Sequence, residues 1–177
     1  MVARARDGDA DAFEELVRLH SGPVFRMLTR VIGDPTAAED AAQEAFVRAW
    51  RALPTFRAEA KFSTWLYRIA MNEAYRLLAR EQRQPTLPFD DVLHQVPDLS
   101  ADPLASVQHA ELEARLEQAI AQLPAQYRVC VVLRDIEGLT NEEAAEVLGL
   151  NLRNFKSRLH RGRMAVRKLL EDFYEER

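Results

Sequence analysis

The chain has 177 residues, 47% of them hydrophobic and 29% charged, with a net charge of −4. That length fits one domain or two small ones, and that composition is globular rather than disordered. No stretch approaches the roughly 18 uninterrupted apolar residues of a membrane span, and the first residues carry no apolar export signal.

The lone Cys130 excludes an internal disulfide framework and a multi-thiolate metal site. Six glycines without a GxGxxG pattern disfavour a nucleotide cofactor. The expectation is a cytoplasmic protein with no membrane insertion, no metal and no cofactor. His20, His94, His109 and His160 are scattered, and no nucleophile is paired with a base, so catalysis is not expected either.

Helical spacing dominates the first half. Phe13, Leu16, Val17 and His20 fit one helix face. Asp34-Pro35 is a helix start, with a capping side chain followed by proline in the first turn. From there Ala38, Ala41, Ala42, Ala45, Phe46, Ala49 and Leu53 keep the 3.6-residue period to Pro54, and the small alanines permit close helix approach. Ser63 is placed to cap a third helix with Trp65, Leu66, Ile69, Ala70 and Leu77 inward.

Two features of this half have competing readings. Glu39, Asp40, Gln43 and Glu44 cluster on the helix that starts at Asp34. Acids in a first turn favour the helix dipole, which covers Glu39, whereas Gln43 and Glu44 lie beyond it and allow a protein-docking surface. Phe56, Phe62, Trp65 and Tyr67 surround the segment RAEAKFSTW. Aromatics at helical spacing are ordinarily core, and that reading is favoured; beside Arg57, Lys61 and Arg68 some could instead stack on unpaired bases. Asn72 follows one turn after Arg68.

Residues 84–107 hold four prolines and four aspartates with no Lys or Arg, which predicts an acidic, extended linker. Beyond it, Leu112, Leu116, Ile120 and Leu123 lie at helical spacing and end at Pro124. The run Val129-Cys130-Val131-Val132-Leu133 would suit a buried strand, but helical neighbours and the lack of a partner strand favour helix.

The C-terminal part carries a helix-turn-helix pattern. Thr140 with Glu143 forms a capping box, Gly149 sits where a tight turn needs positive φ, and Asn151 can cap the next helix. Between Asn151 and Lys168 there are seven basic residues and no acidic one, leaving 17 basic against 28 acidic, −11, for the rest. At about 100° per residue, Leu152, Phe155, Leu159 and Val166 share the core face, opposite Arg153, Ser157, His160 and Arg161, with Asn154, Lys156, Arg158 and Arg163 flanking. A solvated basic face is the bland alternative; the turn geometry and missing acidic partners favour a helix that enters the major groove of DNA.

The runs AEDAAQEAFVRAWRALPTF, KFSTWLYRIAMNEA, LPAQYRVCVVLRDIEGLTNEEAAEVLGL and KSRLHRGRMAVRKLL, in that order, resemble the sigma-70 family, specifically the extracytoplasmic-function (ECF, group IV) sigma factors. The resemblance implies an all-α fold of two small helical domains: a sigma-2-like domain over 1–83, the linker 84–107, and a sigma-4-like helix-turn-helix domain over 108–177. It implies a promoter-specificity subunit that binds the clamp helices and flap of core RNA polymerase, with Asp40, Gln43 and Glu44 at the clamp. Phe56, Arg57, Lys61, Phe62 and Asn72 would read the melted minus-10 element, and Lys156, Ser157, His160 and Arg161, with Arg153, Asn154 and Arg158, the duplex minus-35 element.

The resemblance also implies that the linker threads the polymerase active-site and RNA-exit path, its carboxylates mimicking RNA phosphates, and that an anti-sigma factor controls activity. The sequence departs from the family pattern at Arg153-Asn154-Phe155, where Gly-Thr-Val is usual, at Ala144 and at Arg76. The competing classes are an autonomous helix-turn-helix regulator of duplex DNA and a pure protein-interaction module.

Overall fold

The computed structural model describes residues 1–81 and 106–175. Among them are eight α-helices and no strand: α1 (Val2–Arg6), α2 (Ala10–Ile32), α3 (Pro35–Ala52), α4 (Phe62–Glu81), α5 (Ser106–Gln122), α6 (Ala125–Val131), α7 (Asn141–Leu148) and α8 (Leu152–Glu175). The fold is all-α, as expected. The linker expected over 84–107 lies outside the described residues up to position 105.

In the first half, side chains set most of the helix boundaries. Asp9 accepts from the Ala12 backbone N–H at 3.0 Å and starts α2, which ends at Gly33 with φ +86°. Asp34 then accepts from the N–H groups of Thr36 and Ala37, and Pro35 takes the first position of α3, where its missing N–H costs nothing. Ala38, Ala41, Ala42, Ala45, Phe46 and Ala49 are all buried, so α3 lies close against its neighbours along the expected face. A 3₁₀ turn, Leu53–Thr55, closes it.

Ser63 does not cap α4. The helix is already under way at Phe62, and the Lys61 carbonyl accepts the first ladder bond, from Trp65 N–H at 3.1 Å. Burial of the Phe62 ring draws this residue into the helix and leaves Ser63 inside the first turn.

In the second half the apolar run 129–133 is helical. It completes α6 and passes into a π turn, Val132–Ile136, in which Glu137 N–H reaches back five residues to the Val132 carbonyl at 2.9 Å. The α5 periodicity is right but its burial is partial: Ile120 and Leu123 are buried, whereas Leu112 and Leu116 are 41% and 39% exposed. Between α7 and α8 the predicted signals are all used. Thr140 and Glu143 form the reciprocal capping box, Gly149 adopts φ +62°, and Asn151 caps α8 through Asn154 N–H at 2.8 Å.

The halves α1–α4 and α5–α8 pack against each other, and the buried core is continuous through both. Arg128 on α6 donates to the Val31 carbonyl at the end of α2 and to the Ala121 and Leu123 carbonyls at the end of α5. Within the second half, Gly162 lets α8 approach α6: a Cβ there would sit 2.7 Å from Val131 Cγ2 and 3.2 Å from the Tyr127 carbonyl oxygen. A β-branched side chain and a backbone oxygen cannot easily yield. The clash, about 1–3 kcal/mol, outweighs the roughly 1 kcal/mol of helix propensity that alanine brings. Gly162→Ala is therefore expected to lower the urea-unfolding stability by about 1 kcal/mol.

Candidate nucleic-acid and protein interfaces

Three surfaces carry the residues singled out in the sequence. The first is the solvent side of α8. Arg153, Asn154, Lys156, Ser157, His160 and Arg161 are exposed there, because Phe155, Leu159 and Val166 turn the opposite side into the core. These six side chains therefore share one open, donor-rich surface. Arg158 differs: it is half-buried, and its charge acts on the Cys130 thiol and, across the halves, on Tyr75 of α4.

The basic stripe is also less bare than its local sequence suggests. Arg163 makes a two-pronged ion pair with Asp135, and Arg167 pairs with Glu171. The missing-partner argument thus fails for these two arginines. Asp135 stands 28 residues earlier in the chain, on the π turn that aims it at α8.

The second surface joins the end of α3 to α4. Phe56 and Phe62 are buried; Phe56 meets Trp65 at 5.1 Å between ring centroids, Phe62 meets Trp65 at 5.7 Å, and Phe62 touches His20 at 5.2 Å. The favoured core reading of these rings is what the structure shows. They support the loop 57–61 rather than offering open faces to a base. That loop exposes Arg57 and Lys61 and contains Ala58 at φ +56°, a left-handed conformation that costs a side-chain-bearing residue about 1–2 kcal/mol.

Further along α4, Asn72 is exposed and lines an open groove of about 540 Å³ with Arg48, Ala52, Ile69, Glu73 and Arg76. Sequence reasoning missed the floor of this groove. Glu73 is only 7% exposed, held by Arg48 Nε at 2.9 Å and Arg76 Nη1 at 3.3 Å. Its position one residue after Asn72 was a usable signal, since a carboxylate that far into an apolar helix needs cationic partners.

The third surface is the outer side of α3. Asp40, Gln43 and Glu44 are all exposed on it, away from the buried alanines, and Glu44 also pairs with Arg48 one turn on at 2.8 Å. Val47 and Trp50 continue the same side, 43% and 37% exposed. They line an apolar groove of about 410 Å³ with Phe13 and Phe46. Neither was singled out in the sequence, although the spacing of 43, 47 and 50 puts them on one helix stripe.

Among the described residues no cluster of His, Cys, Asp and Glu could hold a metal, and no helix is long and apolar enough to cross a membrane. Cys130 is fully buried, and burial pushes its thiol up to about 11. Tyr67 donates to Glu137 at 3.0 Å, and burial together with that carboxylate raises its pKa. Glu143 moves the other way. The Thr140 backbone N–H and the Lys61 ammonium lower its pKa, so its stabilising effect is present at neutral pH and is lost as the pH falls through that depressed value.

An all-α chain with a cationic helix-turn-helix at one end and a second cationic face on an aromatic-braced bundle belongs to the nucleic-acid-binding class. Residues 16–84 match the family Sigma-70 region 2, and residues 113–166 match Sigma-70, region 4. The chain is 36% identical to the RNA polymerase sigma-H factor of Pseudomonas aeruginosa, over 99% of its own length and 95% of that protein. It is 35% identical to the ECF RNA polymerase sigma factor SigW of Bacillus subtilis, over 97% and 95%.

Its fold is similar to that of CnrH, solved in complex with the cytosolic domain of CnrY, with a TM-score of 0.68 at 29% identity over 97% of this chain and 95% of that one. RpoE from Bartonella quintana, solved with the anti-sigma factor NepR, shares the fold at a TM-score of 0.68 and 21% identity, over 92% and 98%. The chain belongs to the sigma-70 family, in its ECF group.

The Cys130 environment gives a direct check. A thiol with a pKa near 11 is almost wholly protonated at pH 8, and it has no access to solvent. A disulfide reagent at pH 8 is expected to leave the native thiol unlabelled over a period in which the urea-unfolded chain reacts completely. Rapid labelling of the native chain would contradict this burial.

Proposed function

We propose that this chain is the promoter-specificity subunit of a bacterial RNA polymerase, directing initiation at alternative promoters without chemistry of its own. The observation that carries the reading is the order of surfaces along one chain. An acidic and apolar stripe on α3 and a cationic loop and groove at α4 lie within the region 2 match, and a donor-rich exposed face on α8 lies within the region 4 match.

Each surface then takes one task. Lys156, Ser157, His160 and Arg161, with Arg153 and Asn154, approach the major groove of the minus-35 duplex, with donors for base edges and cations for phosphates. Arg158 joins them only by turning out of its half-buried site. Asn72 and its groove receive an unstacked minus-10 base, while Arg57 and Lys61 hold the strand; Phe56 and Phe62 act by bracing the loop. Unpairing costs a few kcal/mol per base, so these contacts must be gained as the strand separates.

Asp40, Gln43 and Glu44 dock on the clamp helices of the core enzyme, with Val47 and Trp50 adding apolar area. The domain over 108–177 meets the flap, and the acidic linker 84–107 passes through the polymerase with its carboxylates standing in for RNA phosphates. An anti-sigma factor is the regulatory partner in this reading, supported by the partners with which CnrH and RpoE were solved.

Co-elution with core RNA polymerase from the same organism tests the reading. The wild-type chain is expected to co-elute, and the double variant Asp40→Lys, Glu44→Lys to lose it. No association of the wild type would leave an autonomous helix-turn-helix regulator as the reading. For the duplex surface, Lys156→Ala is expected to weaken promoter binding across sequences and to reduce the salt slope of log K by about 1.

A further inference from the structure

The π turn Val132–Ile136 meets α8 through one ion pair whose geometry leaves an edge of the guanidinium over. Asp135 accepts from Arg163 Nε at 3.0 Å and from Arg163 Nη2, two parallel prongs on the side edge of the group. A guanidinium carries five N–H donors. Both hydrogens of Nη1 and the second of Nη2 therefore remain for another acceptor, and the Arg163 side chain is 53% exposed. Both partners stand on fixed backbone. Val132 and Leu133 are buried, and the Leu133 carbonyl accepts from Leu139 N–H at 3.1 Å. Gly162, the neighbour of Arg163, lies close against Tyr127 and Val131 of α6. Along α8, Lys156, His160 and Arg163 follow at i, i+4 and i+7, and all three are exposed. Arg163 stands about 10 Å beyond Lys156 along the axis, at the edge of the donor-rich face rather than at its centre.

We propose that Asp135 is a positioning residue for duplex binding, holding Arg163 as a preset clasp for a DNA phosphate at the rim of the major groove. The proposal rests on the reading of α8 as the duplex-facing helix. A helix whose first turns reach base edges carries its later turns out toward the sugar-phosphate backbone. A phosphate there meets the end edge of Arg163, with Nη1 and Nη2 each donating one hydrogen in a two-pronged contact. An arginine gives up much rotamer freedom when it grips an anion, and Asp135 has imposed that order before DNA arrives. The same carboxylate repels the phosphate. Charge and orientation therefore call for opposite effects when it is removed.

The test uses the full-length chain assembled with core RNA polymerase from the same organism, and a promoter duplex that this holoenzyme selects. Affinity is measured across a salt series. Asp135→Asn keeps the side-chain shape and removes the charge, and the thermal midpoint of the free chain checks folding. Its affinity is expected to fall about three-fold although the protein has become more positive. Arg163→Ala is expected to weaken binding about ten-fold and to lower the salt slope of log K by about 1. The double variant should bind no more weakly than Arg163→Ala, because Asp135 acts only through Arg163. Asp135→Glu, which returns a carboxylate, should lie closer to wild type than Asp135→Asn.

Unchanged or tighter binding in Asp135→Asn would overturn the proposal, since the carboxylate would then only repel the duplex. An unchanged affinity in Arg163→Ala would also overturn it and leave the pair a structural tie between the π turn and α8. So would a double variant that loses the sum of the two single effects. The reading of α8 itself is judged separately, by Lys156→Ala. An unchanged affinity there would sink that reading and the clasp with it. A lost Lys156 contact beside an unaffected Arg163→Ala would sink the clasp alone.

Discussion

One guanidinium ties the two halves of the molecule together. The last carbonyls of a helix have no partner within it and carry the negative end of its dipole. In this chain α2 and α5 end side by side, and Arg128 answers both: Nη1 to Val31, Nη2 to Ala121 and Leu123, Nε to Leu123. A planar fork with five donors can serve diverging acceptors in this way, whereas a lysine ammonium could not span them. Burial lowers the pKa of Arg128, but an arginine starts so high that the charge persists. Without this cation the carbonyls would be partnerless in a partly buried joint, at about 1–3 kcal/mol for each group left unsatisfied.

From that joint, small local devices decide where the functional side chains point. The π turn at 132–136 inserts one residue into the helical register, which sends Asp135 toward Arg163 and Glu137 toward Tyr67 and Arg30. Gly162 removes a side chain where α8 crosses α6, so α8 sits close to its scaffold. The buried Phe155 and Leu159 then fix the rotation of α8 about its own axis, and that rotation leaves Lys156, Ser157, His160 and Arg161 outward. On the other half, the aromatic set Phe56, Phe62 and Trp65 supports a loop with a left-handed alanine.

What could be read in the sequence was what is local. Asp34-Pro35, the Thr140/Glu143 box, Gly149 and Asn151 each act within four residues, and each appears in the structure as its chemistry requires. The alanine stripe of α3 and the core side of α8 were legible through helical period alone. Most of the misses are contacts of long sequence separation; Ser63, which does not cap α4, and the Arg167–Glu171 pair are the local ones. No pattern announces that Asp135 meets Arg163, that Arg128 reaches a carbonyl 97 residues away, or that the Arg158 charge acts on Tyr75. Leu112 and Leu116 show the same limit from the other side: periodicity gives a helix its apolar face, but only tertiary packing decides whether that face is covered.

The site residues follow the same division. The solvent side of α8 could be worked out because a helix has one geometry, and a run of donors on it has one exposed side. The α4 surface could not, because three elements and two halves build it. Its groove needs Arg48 from α3 and Glu73 from α4, and its loop cations meet carboxylates from α7. The α8 surface is thus a property of one helix, while the α4 surface is a property of the assembled fold. That asymmetry bears on how such a protein can be regulated. A surface assembled from several elements can be altered by moving one of them, whereas the α8 surface survives any motion that leaves its own helix and the α6 crossing intact.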